Sequence, residues 1–202
     1  MLETTLVESP GAAYAMVLDV ASVGLTDEQF ARLCRNNRDL RLEMTAEGKL
    51  IIMSPAGSLT GRRNSKLNQR IANWADKDNA GISFDSSTGF ILPNGAKRSP
   101  DASWIRRERW DALTEEAQEG FAPICPDFVV ELRSKDDRLP PLQKKMKEYI
   151  ANGARLGWLI DPKSKSVYVY QPDQPVEHLQ NVATVNGDPV LRGFVLELDE
   201  IW

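Results

Sequence analysis

The stretch that most constrains this chain is Asp127-Phe128-Val129-Val130-Glu131-Leu132-Arg133. A short, nearly continuous apolar run of this kind reads as a strand covered on both faces. Side chains alternate along a strand, so Asp127, Val129, Glu131 and Arg133 take one face and Phe128, Val130 and Leu132 the other. A carboxylate in such a strand costs free energy unless it is paired or binds a cation. Glu131 therefore has two readings. It forms a salt bridge to Arg133 or to a helix lysine, or it belongs to a site where carboxylates from adjacent strands hold a hard divalent cation.

The flanking sequence supplies a fold class for that strand. Thr26-Asp27-Glu28-Gln29 opens a short helix with Thr26 as N-cap. The apolar runs 40–44 and 49–53, joined across Gly48, read as a β-hairpin. Leu67, Ile71 and Trp74 recur at helical spacing within 59–77, and strand-like runs follow at 81–85, 88–92 and 102–105. A polar, helix-prone insert covers 106–120. After 128–132 come a helix over 139–152 stopped by Gly153, strands at 156–160 and 167–170, and a β tail at 190–198. The order implies an α/β (α+β) fold, a mixed sheet flanked by helices. No linker or repeat divides it, so the expectation is one domain over 25–202 after an irregular arm over 1–24.

Composition removes whole chemistries. The chain has a single histidine, His178, and two cysteines, Cys34 and Cys125, far apart and outside any CxxC spacing. Zinc ribbons, dithiol redox centres and Ser–His or Cys–His nucleophiles are excluded on that basis, and the thiols read as buried and structural in a reducing cytoplasm. Phosphate-binding glycine loops are absent as well. With 25 Lys+Arg against 29 Asp+Glu, a uniformly basic nucleic-acid coat is excluded, whereas a local basic groove is not. No apolar run approaches the ~20 residues of a membrane span. The first residues lack the pattern of a secretory signal. Any catalysis must therefore rest on carboxylates, lysines and arginines.

A second carboxylate, Asp101, follows Pro100 at the start of the strand over 102–105. On the helix after Glu131, Leu142, Met146, Tyr149 and Ile150 form an apolar stripe with Lys145 at its edge and Lys144 pointing away. Lys145 can reach the sheet along its apolar stem or snorkel to solvent.

Pro100-Asp101 followed by Glu131-Leu132-Arg133 resembles the PD-(D/E)XK nuclease superfamily. Four stretches resemble the Uma-two family of restriction-endonuclease-like proteins more closely: 53–57; 84–90 with 92–95; 98–101; and 126–134. The runs 145–149 and 157–162 continue the likeness, which covers roughly 25–198. The resemblance implies a restriction-endonuclease-like core and assigns Asp101 and Glu131 to Mg²⁺ or Mn²⁺. Arg133 stands where the superfamily has its lysine, and the resemblance moves that role to Lys145. Glu43 matches a frequently acidic family position and is a candidate additional ligand.

Such a site would hydrolyse phosphodiesters, with a metal-activated water oriented by Lys145. Arg62, Arg63, Lys66 and Arg70 on the helix over 59–77, with Arg133, are candidate contacts to nucleic-acid phosphates, although a solvated helix face is the plainer reading of the first four. The resemblance further implies DNA as substrate and a homodimer. Two alternatives stay open: a nuclease-fold protein that binds or regulates without cutting, and a structural α/β protein with a salt-bridged Glu131.

Overall fold

Phe128–Leu132 is the strand on which the molecule is built. In the computed structural model, which describes residues 16–202, every residue of this strand is buried. The elements in chain order are β1 (Met16–Asp19), α1 (Asp27–Asn36), β2 (Arg41–Met44), β3 (Lys49–Met53), α2 (Ser58–Asp78), β4 (Gly81–Asp85), β5 (Phe90–Ile91), β6 (Lys97–Arg98) and β7 (Ala102–Arg106). They continue with α3 (Arg107–Asp111), α4 (Glu115–Glu119), β8 (Phe128–Leu132), α5 (Leu139–Ala151), β9 (Leu156–Asp161), β10 (Ser166–Tyr170), β11 (Glu177–Gln180), β12 (Thr184–Asn186) and β13 (Val195–Glu197).

The main sheet has the order β11-β10-β9-β8-β7-β4, and only the β8–β9 pair is parallel. That pair is joined through α5, because parallel neighbours need a crossover connection. The two faces of β8 are covered as the alternation requires. Phe128, Val130 and Leu132 pack with Leu67, Ile71 and Ala75 of α2, and with Leu191, Phe194 and Leu196 of the C-terminal tail. Val129 packs on the other side, with Met146 and Tyr149 of α5. The helices thus lie on opposite faces of one mixed sheet, the architecture expected from the sequence. Trp74, whose helical spacing suits the core or its edge, lies at the edge of the α2 stripe and donates its indole N–H to the Arg192 carbonyl, while Ala75 is buried within it.

A second, antiparallel sheet has the order β1-β3-β2-β6-β5 and packs under α1 through Phe30, Leu42, Met44 and Leu50. Thr26 and Gln29 close α1 with a reciprocal capping box. Gly48 turns the β2–β3 hairpin at φ 78°, a left-handed backbone that suits glycine. The expected irregular arm needs correction over 16–19. These residues form β1, in antiparallel register with β3 from Met16↔Ile52 to Asp19↔Lys49. The edge of β3 is thereby paired. Residues 1–15 of the arm lie outside the described residues. Among the described residues no helix is long and apolar enough to cross a membrane.

Gly81 begins β4, opposite Arg106 of β7. A Cβ there would overlap the Ile105 carbonyl oxygen and the Trp104 indole, both held in the core. Gly81→Ala is expected to destabilise the fold by about 1–3 kcal/mol, as overpacking does elsewhere, read from the midpoint of urea unfolding.

Candidate active site

The ladder between β7 and β8 ends at Ala102↔Val130, and Asp101 continues it by other means. Its backbone N–H donates to the Val130 carbonyl at 3.0 Å, and its Oδ2 accepts the Leu132 N–H at 2.8 Å. The carboxylate is therefore laid against β8 beside Glu131. Its other oxygen, Oδ1, accepts from Asn64 Nδ2 at 3.2 Å, while Asn68 Nδ2 donates to the Asp101 carbonyl at 2.9 Å. Asn64 and Asn68 sit four apart on α2, so one helix face presents two amides to this residue.

Glu131 faces α5. Lys145 Nζ lies 2.8 Å from Glu131 Oε1, and Tyr149, one turn on, donates its hydroxyl to the same oxygen at 3.0 Å. Lys145 also lies 2.8 Å from Oε1 of Glu43, delivered by β2 of the second sheet. Glu43 Oε1 further accepts the Ser99 N–H at 3.0 Å, and its Oε2 accepts from Arg98 Nη1 at 3.1 Å. Arg98 Nε reaches Glu148 at 2.6 Å. Asp101, Glu131, Lys145 and Glu43 thus converge from the residue before β7, from β8, from α5 and from β2. The site exists only where the two sheets meet.

The electrostatics follow from burial and crowding. Burial pushes Glu131 up to about 7, with the like charges of Asp101 and Glu43 adding to it against the pull of Lys145. Burial also opposes ionisation of Glu43, but Lys145 and Arg98 outweigh it and hold that carboxyl at about 2. For Lys145 the desolvation cost is overcome by Glu131 and Glu43, which raise its pKa and keep it charged. Four carboxylates (Asp101, Glu131, Glu43, Glu148) face three cations (Lys145, Arg98, Arg41) in this network. The surplus is negative.

Oxygen donors with a surplus negative charge fit a hard divalent cation. Among the described residues no three His, Cys, Asp or Glu side chains converge into a metal cage. Mg²⁺ does not need one, since it binds through one or two carboxylates and keeps several of its waters. Beside Asp101, the buried Asn64 Oδ1 has no hydrogen-bond partner, so a further oxygen is free to meet such a water.

The other sequence candidates are placed differently. Arg133 does not turn to Glu131. Its Nη1 binds Asp161 at 2.6 Å and its Nε donates to the Asp137 carbonyl, because the strand has ended and the side chain follows the loop beyond it. Lys66 and Arg70 both engage Glu200, at 3.2 and 2.6 Å. At 100° per residue, Arg62, Lys66 and Arg70 share a flank of α2 turned well away from Asn64 and Asn68. Arg62 is exposed and Arg63 half-buried. Asp127 lies at the opposite end of β8, where it accepts the Arg106 N–H and pairs with Arg109 at 2.9 Å. Cys125 is buried, which pushes its thiol up to about 12, whereas Cys34, expected to be buried, is only half-buried.

Four residues of the network carried no role in the sequence: Arg41, Arg98, Glu148 and Tyr149. The spacing of Lys145 and Tyr149 at i, i+4 was a signal for Tyr149 alone.

A cleft of about 490 Å³ lies beside Asp101, lined by Arg41, Asn64, Ser65, Asn68, Asp85 and Ser86. A neighbouring hollow of about 550 Å³ shares Ser65, Asn68 and Asp85 and continues it along α2.

No curated protein matches the chain. A crystal structure of a protein from Anabaena variabilis, described as a "putative nuclease belonging to DUF820", is similar in fold, with a TM-score of 0.68 and 22% identity over 79% of this chain and 88% of that one. The family Uma2, described as "Putative restriction endonuclease", matches residues 27–199, and the chain belongs to that family.

Proposed function

We propose that this protein is a divalent-cation-dependent nuclease that hydrolyses DNA phosphodiesters, acting as a homodimer with one site for each strand. The observation that carries the reading is the meeting of Asp101, Glu131 and Lys145 in one buried, negatively charged cluster beside an open cleft. Family membership supports a nuclease-like activity.

Asp101 and Glu131 would hold Mg²⁺ or Mn²⁺, which when bound lowers the pKa of a coordinated water and neutralises charge on the phosphodiester. Leu132 N–H fixes one oxygen of Asp101, and Tyr149 and Lys145 both bind Oε1 of Glu131. Oε2 of Glu131 is thereby left to face a ligand. Lys145 presents three N–H donors, two of them engaged by Glu131 and Glu43, so the third is available to an attacking water or to the phosphate. Lysine can serve here as arginine could not, because a compact ammonium fits between two carboxylates and can exchange a proton. Glu43 positions Lys145, and with Lys66, Arg70 and Arg133 held in ion pairs, Arg62 and Arg63 are the basic candidates that would meet DNA extending past the cleft.

Incubation of the protein with supercoiled plasmid is the direct test. Nicking or linearisation is expected in Mg²⁺ or Mn²⁺ and none in EDTA. Salt-dependent retention of DNA with no cutting in either metal would instead favour a non-cleaving binding module.

A further inference from the structure

We propose that Arg41 is the phosphate anchor of the cleft, the one basic side chain in a lining that is otherwise neutral apart from Asp85. The proposal rests on the nuclease reading and specifies how that site takes its substrate.

Arg41 opens β2 and reaches across to the cleft from the second sheet. Its Nη2 donates to the Ser99 carbonyl at 2.7 Å, which fixes the guanidinium in place. Its Nη1 stands 3.6 Å from Asp101 Oδ1, beyond hydrogen-bond range. Asp101 is its nearest ionic partner, but the hydrogen bonds to the two carboxylate oxygens already come from Asn64 and the Leu132 N–H. The buried Nε of Arg41 has no partner. A guanidinium carries five N–H donors in a planar fork, and an orphaned buried donor in a native fold calls for an explanation. A phosphodiester, with two non-bridging oxygens, matches that fork.

The rest of the lining sharpens the inference. Asn64, Ser65, Asn68 and Ser86 are neutral, Asp85 is acidic, and the hollow that continues the cleft along α2 contains neither lysine nor arginine. Arg62, Lys66 and Arg70 are on the other flank of α2, and the last two are held by Glu200. A strand in this groove therefore meets one basic side chain along the lining. Each neutralised phosphate contributes about 0.7–0.9 to the slope of log affinity against log salt. Arg41 should supply about one such unit by itself.

The test is the binding of a fluorescein-labelled DNA 20-mer in Ca²⁺ across a salt series, for wild type, Arg41→Gln, Arg41→Lys and Arg192→Gln. Arg192 is exposed near the far end of α2, and its replacement removes the same charge while leaving the carbonyl that Trp74 uses. Arg41→Gln is expected to weaken binding about tenfold and to lower the salt slope by about 0.7–0.9. Arg41→Lys should restore the slope but not the affinity, since lysine keeps the charge without the fork. Arg192→Gln should alter neither. If Arg41→Gln does not fold, Arg41→Lys decides alone: wild-type affinity in that variant overturns the fork contact.

Arg41→Gln with wild-type affinity and slope overturns the proposal, as does an equal effect of Arg192→Gln. If wild type cuts plasmid in Mg²⁺ while Arg41→Gln binds normally, the anchor falls and the nuclease reading stands. If binding depends on Arg41 and no metal supports cutting, the nuclease reading falls and the anchor stands. A wild type that binds no DNA overturns both.

Discussion

Lys145→Ala and Glu131→Gln are each expected to lower Mg²⁺-dependent cleavage by at least about 10²–10³-fold, the loss that follows removal of one group from a preorganised charge-stabilising site. The two should differ in kind. Lys145 acts through donors that meet the water or the phosphate, so Lys145→Ala should lower kcat with little change in KM. Glu131→Gln keeps the shape and the Tyr149 contact but removes the negative charge. It should therefore weaken the metal dependence, shifting the half-saturating Mg²⁺ concentration upward. Lys145→Arg should not rescue, because a planar guanidinium cannot sit at 2.8 Å from both Glu43 and Glu131 without moving α5. Steady-state kinetics on a labelled oligonucleotide, with melting curves to verify folding, are the measurement. Unchanged kcat in either variant would remove that residue from the site.

The largest effect on stability is expected from Arg98→Met. Arg98 is buried, joins Glu43 to Glu148, and is followed by Ser99, whose N–H also binds Glu43. Removing one partner of a buried ion network leaves uncompensated charge and costs about 3–5 kcal/mol. At about 2–4 °C per kcal/mol for a chain of this size, Tm should fall by roughly 6–20 °C.

The same network sets a pH dependence with two opposite signs in EDTA. Glu43 has its pKa depressed from 4.5 to about 2, so its contribution is present above pH 4.5 and is lost as pH falls from there toward 2. Glu131 has its pKa raised from 4.5 to about 7. The native state takes up a proton that the unfolded chain does not, so this contribution is complete below pH 4.5 and is lost as pH rises through 7. Tm should accordingly rise from pH 7.5 to about 4.5 and fall below it. In Glu131→Gln the rise should vanish and the acid loss remain. A Tm that falls steadily from pH 7.5 downward in wild type would contradict the assignment for Glu131.

Much of this was legible in the residues. The buried carboxylate of β8 announced itself because a charge among Phe128, Val129, Val130 and Leu132 has no cheap solution, and the periodicity of α5 placed Lys145 at the edge of an apolar stripe. Arg133 was a fair candidate as a partner, since alternation puts it on the Glu131 face. It failed because alternation holds only inside the strand, and β8 ends at Leu132. Lys66 and Arg70 looked like a free basic face because Glu200, more than a hundred residues away, is invisible to local reading.

The sequence by itself determined the elements, their amphipathic faces and the chemistry available, since hydrophobic period, capping residues and the near absence of His and Cys are local properties. Only the tertiary structure decided which charges meet. Glu43 and Arg41 come from a second sheet whose position against β8 and α5 no periodicity specifies, and a carboxylate becomes a counter-ion, a ligand or a solvated group according to what packs within a few ångströms of it. That is why Lys145 could be proposed from the chain, whereas the buried Glu43–Arg98–Glu148 network that holds it, and the partly unpaired guanidinium of Arg41 at the cleft, had to be seen in three dimensions.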